Sequence, residues 1–194
     1  MKVILLCLAL FVSTPSHAQD TILYTFATLK TSLGDIRLKL FKKDAPKTVE
    51  NFVGLAKGSK SFRDVKTGVK MRDTPFYKNL LFHKVHPELA IQTGCPWGNG
   101  KGWPGFTLKA EKNEIKFDRP YLLAMAQIQG NQNSIGSQFF ITTKITPHLN
   151  GDYTVFGEVV SGFELVDEIS QARRDAMMKP LEPVTLIEVT IENG

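Results

Sequence analysis

Two segments of the chain alternate strictly between polar and apolar residues, residues 35–40 and residues 187–192. Because successive side chains of a strand point to opposite faces, this pattern predicts half-buried β-strands near both ends of the chain. Residues 22–30, which are rich in aromatic and β-branched residues, predict a further strand that turns through residues 31–34 into the next one. The first two strands are therefore expected to form a hairpin.

Five more short apolar segments, bounded by turn residues, predict strands at residues 80–85, 89–93, 121–126, 138–143 and 153–160. Helical spacing of apolar residues occurs in two segments. Residues 44–56 have a capping residue and a proline in the first turn, and residues 162–172 have a buried stripe of Leu165, Ile169 and Ala172. Because the strands do not alternate regularly with helices, the pattern favours a mainly β fold. We expect a closed antiparallel barrel capped by two helices.

The N-terminus has the pattern of a secretory signal peptide. Lys2 precedes ten apolar residues, 3–12, and small residues flank His17, which predicts cleavage after Ala18. Ten apolar residues are too few to cross a hydrocarbon core, which needs roughly 20. We therefore expect residues 1–18 to be removed, residues 19–194 to form one domain, and the mature protein to be periplasmic or secreted without being a membrane protein.

Composition and charge change this picture little. The 194 residues are 42% hydrophobic and 22% charged, which is typical of one globular domain and excludes collagen, coiled coil and wholesale disorder. The formal charge of +5 becomes +4 without Lys2. The basic residues are dispersed, and the densest segment, 57–73, lacks interleaved aromatic residues, so we interpret it as a solvated loop and expect no nucleic-acid partner.

Three segments carry the candidate chemistry. Residues 81–92 combine a cation, an amide and apolar side chains. Residues 123–141 place a polar loop between two apolar strands, and its amides can brace the backbone or bind an extended peptide. Residues 146–157 form a turn that leads into a strand.

These segments, with residues 45–52 of the first helix, resemble the cyclophilins of bacterial type. The most specific motif is GSQFFI at residues 136–141, in combination with Phe82-His83 and with VFG at residues 155–157. The resemblance covers almost the whole mature chain. It implies a closed eight-stranded antiparallel β-barrel capped by two α-helices, with a shallow groove that binds Xaa-Pro peptides.

Peptidyl-prolyl isomerisation, the activity that the resemblance implies, breaks no covalent bond. It needs neither a nucleophile nor a metal, so no cofactor is expected, and catalysis must bind the twisted amide more tightly than either planar form. The family's arginine falls on Lys84, which with Gln92 forms the implied catalytic pair. The implied substrate-binding residues are Phe82, Leu89, Ala90, Ala126, Gln127, Gln138, Phe140, His148, Leu149 and Tyr153.

Several of these positions depart from the family pattern. Lysine is a flexible point donor, whereas arginine is a rigid planar fork, so we expect reduced activity from Lys84. Leu89 and Ala90 replace the usual Phe and Met and predict a wider, weaker proline pocket. Gln127 replaces Asn, His148 replaces Trp and Tyr153 replaces His, which puts cyclosporin binding in doubt.

Three further features of the sequence suggest other chemistry: two histidines, a cysteine and a glycine-rich segment. His83 and His86 have the spacing H-x-x-H, but residues three apart on a strand face opposite sides, so we expect no metal site. Cys95 is expected to be a packed residue. The glycine-rich segment 94–105 is expected to make tight turns, with Trp97 and Trp103 covering the barrel or extending the groove.

The expected partners are unfolded or flexible proline-containing polypeptides, and the expected state is a monomer. The principal alternative to an enzyme that assists folding of exported proteins is a non-catalytic peptide-binding module that has kept the groove. Lys84, Leu89 and Ala90 favour the module, and Gln92, Gln138 and Phe140 favour the enzyme. A basic barrel that binds polyanions has only the net charge to support it.

Overall fold

The structure is a computed structural model, and it describes residues 25–127, 131 and 134–193. The predicted signal peptide, residues 1–18, lies outside the described residues. Within those residues, no helix combines the length and the apolar character that crossing a bilayer requires.

The described chain contains two α-helices, α1 (Pro46–Lys57) and α2 (Phe163–Gln171), and one 3-10 turn, Pro147–Leu149. Its strands are β1 (Thr25–Thr31), β2 (Gly34–Leu40), β3 (Phe62–Arg63), β4 (Lys70–Met71), β5 (Leu80–Leu81), β6 (Lys84–His86), β7 (Ala90–Thr93), β8 (Leu122–Met125), β9 (Phe139–Thr142), β10 (Val155–Ser161) and β11 (Thr185–Asn193). The predicted mainly β architecture with two helices is therefore correct.

Nine strands form one curled antiparallel sheet in the order β5-β11-β1-β2-β10-β8-β9-β7-β6. The edge strands β5 and β6 are separated in sequence by only Phe82 and His83. The Phe82 N–H donates to Val184 O beside β11, whereas the His83 N–H donates to Gln92 O in β7. The predicted strand 80–85 thus changes partner midway and divides in two. The described residues form a curled sheet of nine strands, and the expected closure into an eight-stranded barrel is not confirmed.

Strands β3 and β4 form a separate short hairpin, in a segment that the sequence pattern assigns to a loop. Phe62 in β3 packs edge-on against Phe76, with ring centroids 4.8 Å apart. The hairpin escaped prediction because each strand has only two residues, too few to show a periodicity.

Helix α1 is capped by a residue distant in sequence. The carboxylate of Glu111 accepts hydrogen bonds from the N–H groups of Lys47 (3.1 Å) and Thr48 (2.7 Å), whereas Ala45 at the N-cap offers no side-chain bond. The local capping residue expected at the start of segment 44–56 is therefore replaced by Glu111. The helix ends at Gly58, which is left-handed and donates to Leu55 O.

The main core lies between the helices and the inner face of the sheet. Phe52 of α1 is fully buried, with ring centroids 5.2 Å from Tyr77 and 5.4 Å from both Phe139 and Phe156. In α2 the buried apolar residues are Val166 and Ile169, while Leu165 and Ala172 of the expected stripe are only partly buried. This core holds the inner face of the strands that carry the site.

Candidate functional site

The site is built on three neighbouring strands whose register aligns its side chains. Lys84 of β6 lies opposite Gln92 of β7, and Gln92 lies opposite Phe140 of β9. Directly opposed residues share one face of an antiparallel sheet, so these three side chains form a row across the outer face. The alternating residues Val85 and Ile91 enter the main core. Side chains on one face of these strands therefore pack in the core, while those on the other face form the site.

A second apolar cluster lies beneath this outer face. Phe140 stacks on Phe117 with centroids 6.3 Å apart and meets Tyr153 edge-on at 5.3 Å. Ala90 and Leu149 pack against the same cluster from the side. The apolar part of the outer face therefore has Phe140 at its base, packed on other aromatic rings, and partly exposed side chains around it.

An open groove of about 680 Å³ runs over the row. Nine of the twelve sequence-predicted site residues line it: Lys84, Leu89, Ala90, Gln92, Ala126, Gln127, Phe140, Leu149 and Tyr153. Gln127 also donates a hydrogen bond to Asp152 O, which ties one wall to the loop before β10. One groove therefore gathers side chains from segments that are far apart in sequence.

Three predicted residues lie elsewhere. Phe82 is only 2% exposed and belongs to the main core, because the partner change between β5 and β6 turns its side chain inward. His148 lies exposed on the 3-10 turn outside the groove lining. The substrate-binding role expected of these two residues stays a prediction, since neither lines the groove. Gln138 is buried directly behind the groove.

Gln138 fixes the orientation of Gln92. Its Nε2 donates to Gly100 O at 2.9 Å and to Gly102 O at 2.8 Å, and its Oε1 accepts from Gln92 Nε2 at 3.0 Å. Both amide hydrogens of Gln138 are thus used, which defines its oxygen as the acceptor. Gln92 is left with its own oxygen and one N–H for a ligand in the groove.

His83, at one end of the groove, is a buried neutral base. It is 6% exposed, and neither ring nitrogen has a well-aligned hydrogen-bond partner among the described residues. Burial is the main cause that lowers the pKa of His83 to about 4, and the positive charges of Lys84 and Lys179 add to the effect. The backbone of Leu81 and the side chain of Gln138 oppose the shift.

This histidine is expected to make stability depend on pH. Its proton is bound below about pH 6.5 in the unfolded chain but only below about pH 4 in the folded chain, so acid favours unfolding between these values. Between pH 7 and pH 4.5, the wild type should lose about 2 kcal/mol more free energy of unfolding than His83→Gln. Urea titrations at both pH values measure this difference.

The matched control is His148→Gln, because His148 is exposed. Its loss of stability on acidification should equal that of the wild type. Equal losses in the wild type and His83→Gln would show that His83 is not the residue responsible.

Two connecting segments add groove residues that the sequence did not predict. The segment between β7 and β8 contributes Asn99, Gly100 and Lys101, and the segment between α2 and β11 contributes Asp175, Met177 and Lys179. His83 and His86 also line the groove. From the sequence, their spacing indicates at most a possible metal site, and none is expected there. For the first segment, the glycine-rich composition of residues 94–105 was the one feature of the sequence that could have indicated a role in the groove. We find no such feature for the second segment.

The second segment is held by its own turn. Asp175 Oδ1 accepts from the N–H groups of Met177 (2.8 Å) and Lys179 (2.9 Å), and Met178 O accepts from the Val85 N–H in β6 at 2.8 Å. The turn therefore docks beside Lys84 and leaves Met177 81% exposed at the groove edge.

The remaining candidate groups do not join the groove. The described residues contain no group of three His, Cys, Asp or Glu side chains arranged to hold a metal ion. Cys95 is buried and accepts a hydrogen bond from the Gly102 N–H at 3.2 Å. Trp97 and Trp103 are partly exposed and lie outside the groove lining, and Trp103 borders a small cavity beside Gln138.

Comparisons with known proteins agree with this geometry. A family model described as cyclophilin type peptidyl-prolyl cis-trans isomerase/CLD matches residues 26–191. The chain is 45% identical over 168 residues to peptidyl-prolyl cis-trans isomerase A of Mycobacterium tuberculosis, covering 85% of this chain and 91% of that protein. It is 43% identical over 171 residues to isomerase B of Streptomyces anulatus, covering 86% and 96%.

A crystal structure of a cyclophilin type peptidyl-prolyl cis-trans isomerase from Cryptosporidium parvum, in the presence of the dipeptide Ala-Pro, is also similar. Its TM-score is 0.75 at 32% identity, covering 87% of this chain and 99% of that chain.

Proposed function

Since this chain belongs to the cyclophilin-type peptidyl-prolyl cis-trans isomerase family, as its sequence motifs predicted, we propose that it accelerates rotation about Xaa-Pro bonds in exported polypeptides. The observation that carries the proposal is the row of Lys84, Gln92 and Phe140 along the groove floor. The mature protein would act as a monomer on unfolded or flexible segments in the periplasm or outside the cell, without a cofactor.

The reaction requires only that the groove bind the twisted amide best. Resonance sets a barrier of about 18–20 kcal/mol, and uncatalysed exchange takes tens to hundreds of seconds. Twisting withdraws the lone pair of the prolyl nitrogen from resonance, which makes that nitrogen a hydrogen-bond acceptor. A donor aimed at it stabilises the twisted state more than the planar states.

Lys84 is the donor in this proposal. Its ammonium group is exposed at the groove and stands beside Gln92 in the register of β6 and β7. The remaining Oε1 and N–H of Gln92 would hold the substrate backbone, because Gln138 keeps the Gln92 amide in one orientation. Substrate proline would rest on Phe140 between Leu149, Ala126 and Tyr153, whose surfaces are apolar.

The proposal is tested by exchange NMR on a Xaa-Pro peptide with catalytic amounts of residues 19–194. Acceleration of cis-trans exchange is expected, and a matched peptide with alanine in place of proline should show no binding. Line broadening of the proline peptide without faster exchange would establish the non-catalytic peptide-binding module instead. Unchanged line shapes with excess protein would reject both functions.

The wider proline pocket makes a separate prediction. Ala90 lines the groove and is partly buried against the second cluster, so a longer apolar side chain there has room to contact proline. Each buried methylene contributes about 0.8 kcal/mol, and Ala90→Met should therefore tighten binding of a proline peptide about threefold to tenfold. Titration followed by NMR measures the affinity. An equal gain for the alanine-substituted peptide would contradict a proline-specific pocket.

Export is tested on the full chain of 194 residues expressed in a bacterial host. Intact mass of the protein recovered from the periplasm should correspond to a chain that begins at Gln19. Recovery only from the cytoplasm at full length would overturn the proposed location.

A further inference from the structure

The groove carries an excess of positive charge. Three lysines line it from three different segments: Lys84 from β6, Lys101 from the segment between β7 and β8, and Lys179 from the segment between α2 and β11. Asp175 is the one acidic residue among the described residues that line the groove. The three ammonium groups therefore outnumber the carboxylate.

Two of the three lysines lie close to His83, and the third, Lys101, follows a glycine that lies against its ring. Gly100, next to Lys101, lies against the His83 ring so closely that an added Cβ would be 3.4 Å from the ring carbon Cδ2. Lys84 follows His83 directly, and both Lys84 and Lys179 are near enough to disfavour protonation of its imidazole. At least two of the basic residues thus lie near His83, and the same groove has an apolar floor that includes Phe140 and Tyr153.

The three lysines form no ion pair within the described part of the protein, where the ion pairs join other residues. Asp175 directs one carboxylate oxygen to the N–H groups of Met177 and Lys179, so that oxygen shapes the turn. A cleft lined by one sign of charge focuses its field and raises the encounter rate of oppositely charged ligands.

We propose that the groove selects Xaa-Pro segments that carry an aspartate or glutamate close to the proline. This inference rests on the proposed isomerase function and names its substrate class. Proline occupies the apolar floor, and the acidic side chain reaches the ammonium groups of Lys101 and Lys179, because Lys84 is engaged by the prolyl nitrogen. Exposed ion pairs are individually weak and are screened by salt, so the selection operates as a preference.

The test compares kcat/KM by exchange NMR for peptides of equal length. Glutamate, glutamine or lysine is placed in turn at each of the two positions before and after proline. Glutamate at one or more of these positions should be preferred over glutamine threefold to tenfold in 20 mM salt, and lysine should be disfavoured. Most of the preference should disappear in 500 mM salt.

Two double variants assign the preference to the groove. In Lys101→Gln/Lys179→Gln the ratio of glutamate to glutamine peptide should fall toward one. In Lys66→Gln/Lys70→Gln, which removes the same charge from exposed positions of the β3–β4 hairpin, the ratio should remain that of the wild type.

The outcomes separate this inference from the function on which it rests. Equal acceleration of the glutamate and glutamine peptides at every position overturns the substrate class and leaves the isomerase proposal standing. A glutamate preference that persists in Lys101→Gln/Lys179→Gln also overturns it. Absence of acceleration with every peptide overturns the isomerase function and the inference together.

Discussion

Lys84→Ala is expected to lower kcat/KM for a proline peptide by about 10- to 150-fold. In the proposed mechanism, the substitution removes a charge-assisted hydrogen bond, worth roughly 1.5–3 kcal/mol, that forms with the prolyl nitrogen only in the twisted state. Lys84 is exposed and its cross-strand partner Gln92 is oriented independently by Gln138, so the fold should tolerate the change. Exchange NMR with Lys84→Ala and the wild type measures the effect.

The matched substitution is Lys84→Arg, which keeps the charge and adds a planar fork of donors. It should equal or exceed the wild-type rate. Lys101→Ala removes a neighbouring lysine of the same groove and should reduce the rate for a neutral peptide far less than Lys84→Ala. Full activity in Lys84→Ala would mean that the groove works without this donor.

Gly94→Ala is expected to lower the free energy of unfolding by about 2–5 kcal/mol, from a left-handed backbone cost of about 1–2 kcal/mol and an overpacking cost of about 1–3 kcal/mol. Gly94 has φ +84°, and an added Cβ would lie 2.3 Å from Ser137 O and 2.9 Å from the Cα of Gln138. Both contacts are with backbone, which cannot rotate away. Urea denaturation measures the loss.

Gly68→Ala separates the two causes. Gly68 has φ +73°, yet nothing lies within 4 Å of an added Cβ, so only the backbone cost of about 1–2 kcal/mol is expected. In Gly94→Ala, displacement of Gln138 should also disturb Gln92 and lower isomerase activity. Equal destabilisation by the two substitutions would show that the close approach of Gly94 to Ser137 has no energetic consequence.

The position of Gly94 also explains why Gln138 can serve the site. Ser137 Oγ donates to Gly94 O at 2.8 Å, and Tyr77 OH donates to Ser137 O at 3.0 Å from within the core. These bonds join β7 to the strand entry before β9. The orientation of Gln92 is thus set by packing below the groove as well as by its own strand.

Prediction from sequence succeeded where the signal was periodic. Alternation predicted β2 and the C-terminal strand, and helical spacing predicted α1 and α2 to within two residues at each end. Prediction from sequence failed where a residue forms hydrogen bonds with a segment distant in the chain. Glu111 caps α1 across more than 60 positions, at Thr48 Oγ1 and two N–H groups, and no local pattern marks such a contact.

The site was predictable to the extent that its motifs lie in strands. Lys84, Gln92 and Phe140 belong to recognisable motifs and line the groove. Phe82 and His148 belong to the same motifs but lie outside the groove lining. Phe82 lies where a strand changes partner and His148 lies in a tight turn, and at such places the position in the sequence does not determine which face a side chain takes. The lysines outside the motifs, Lys101 and Lys179, carry no signal of their own.

The sequence by itself determined the longer strands, both helices and the family, because periodicity and motifs are properties of short segments. Only the tertiary structure decided that Gln138, 46 positions from Gln92, orients the Gln92 amide, and that three separate segments bring lysines to one groove. These juxtapositions follow from strand register and loop docking, which depend on packing of the whole chain.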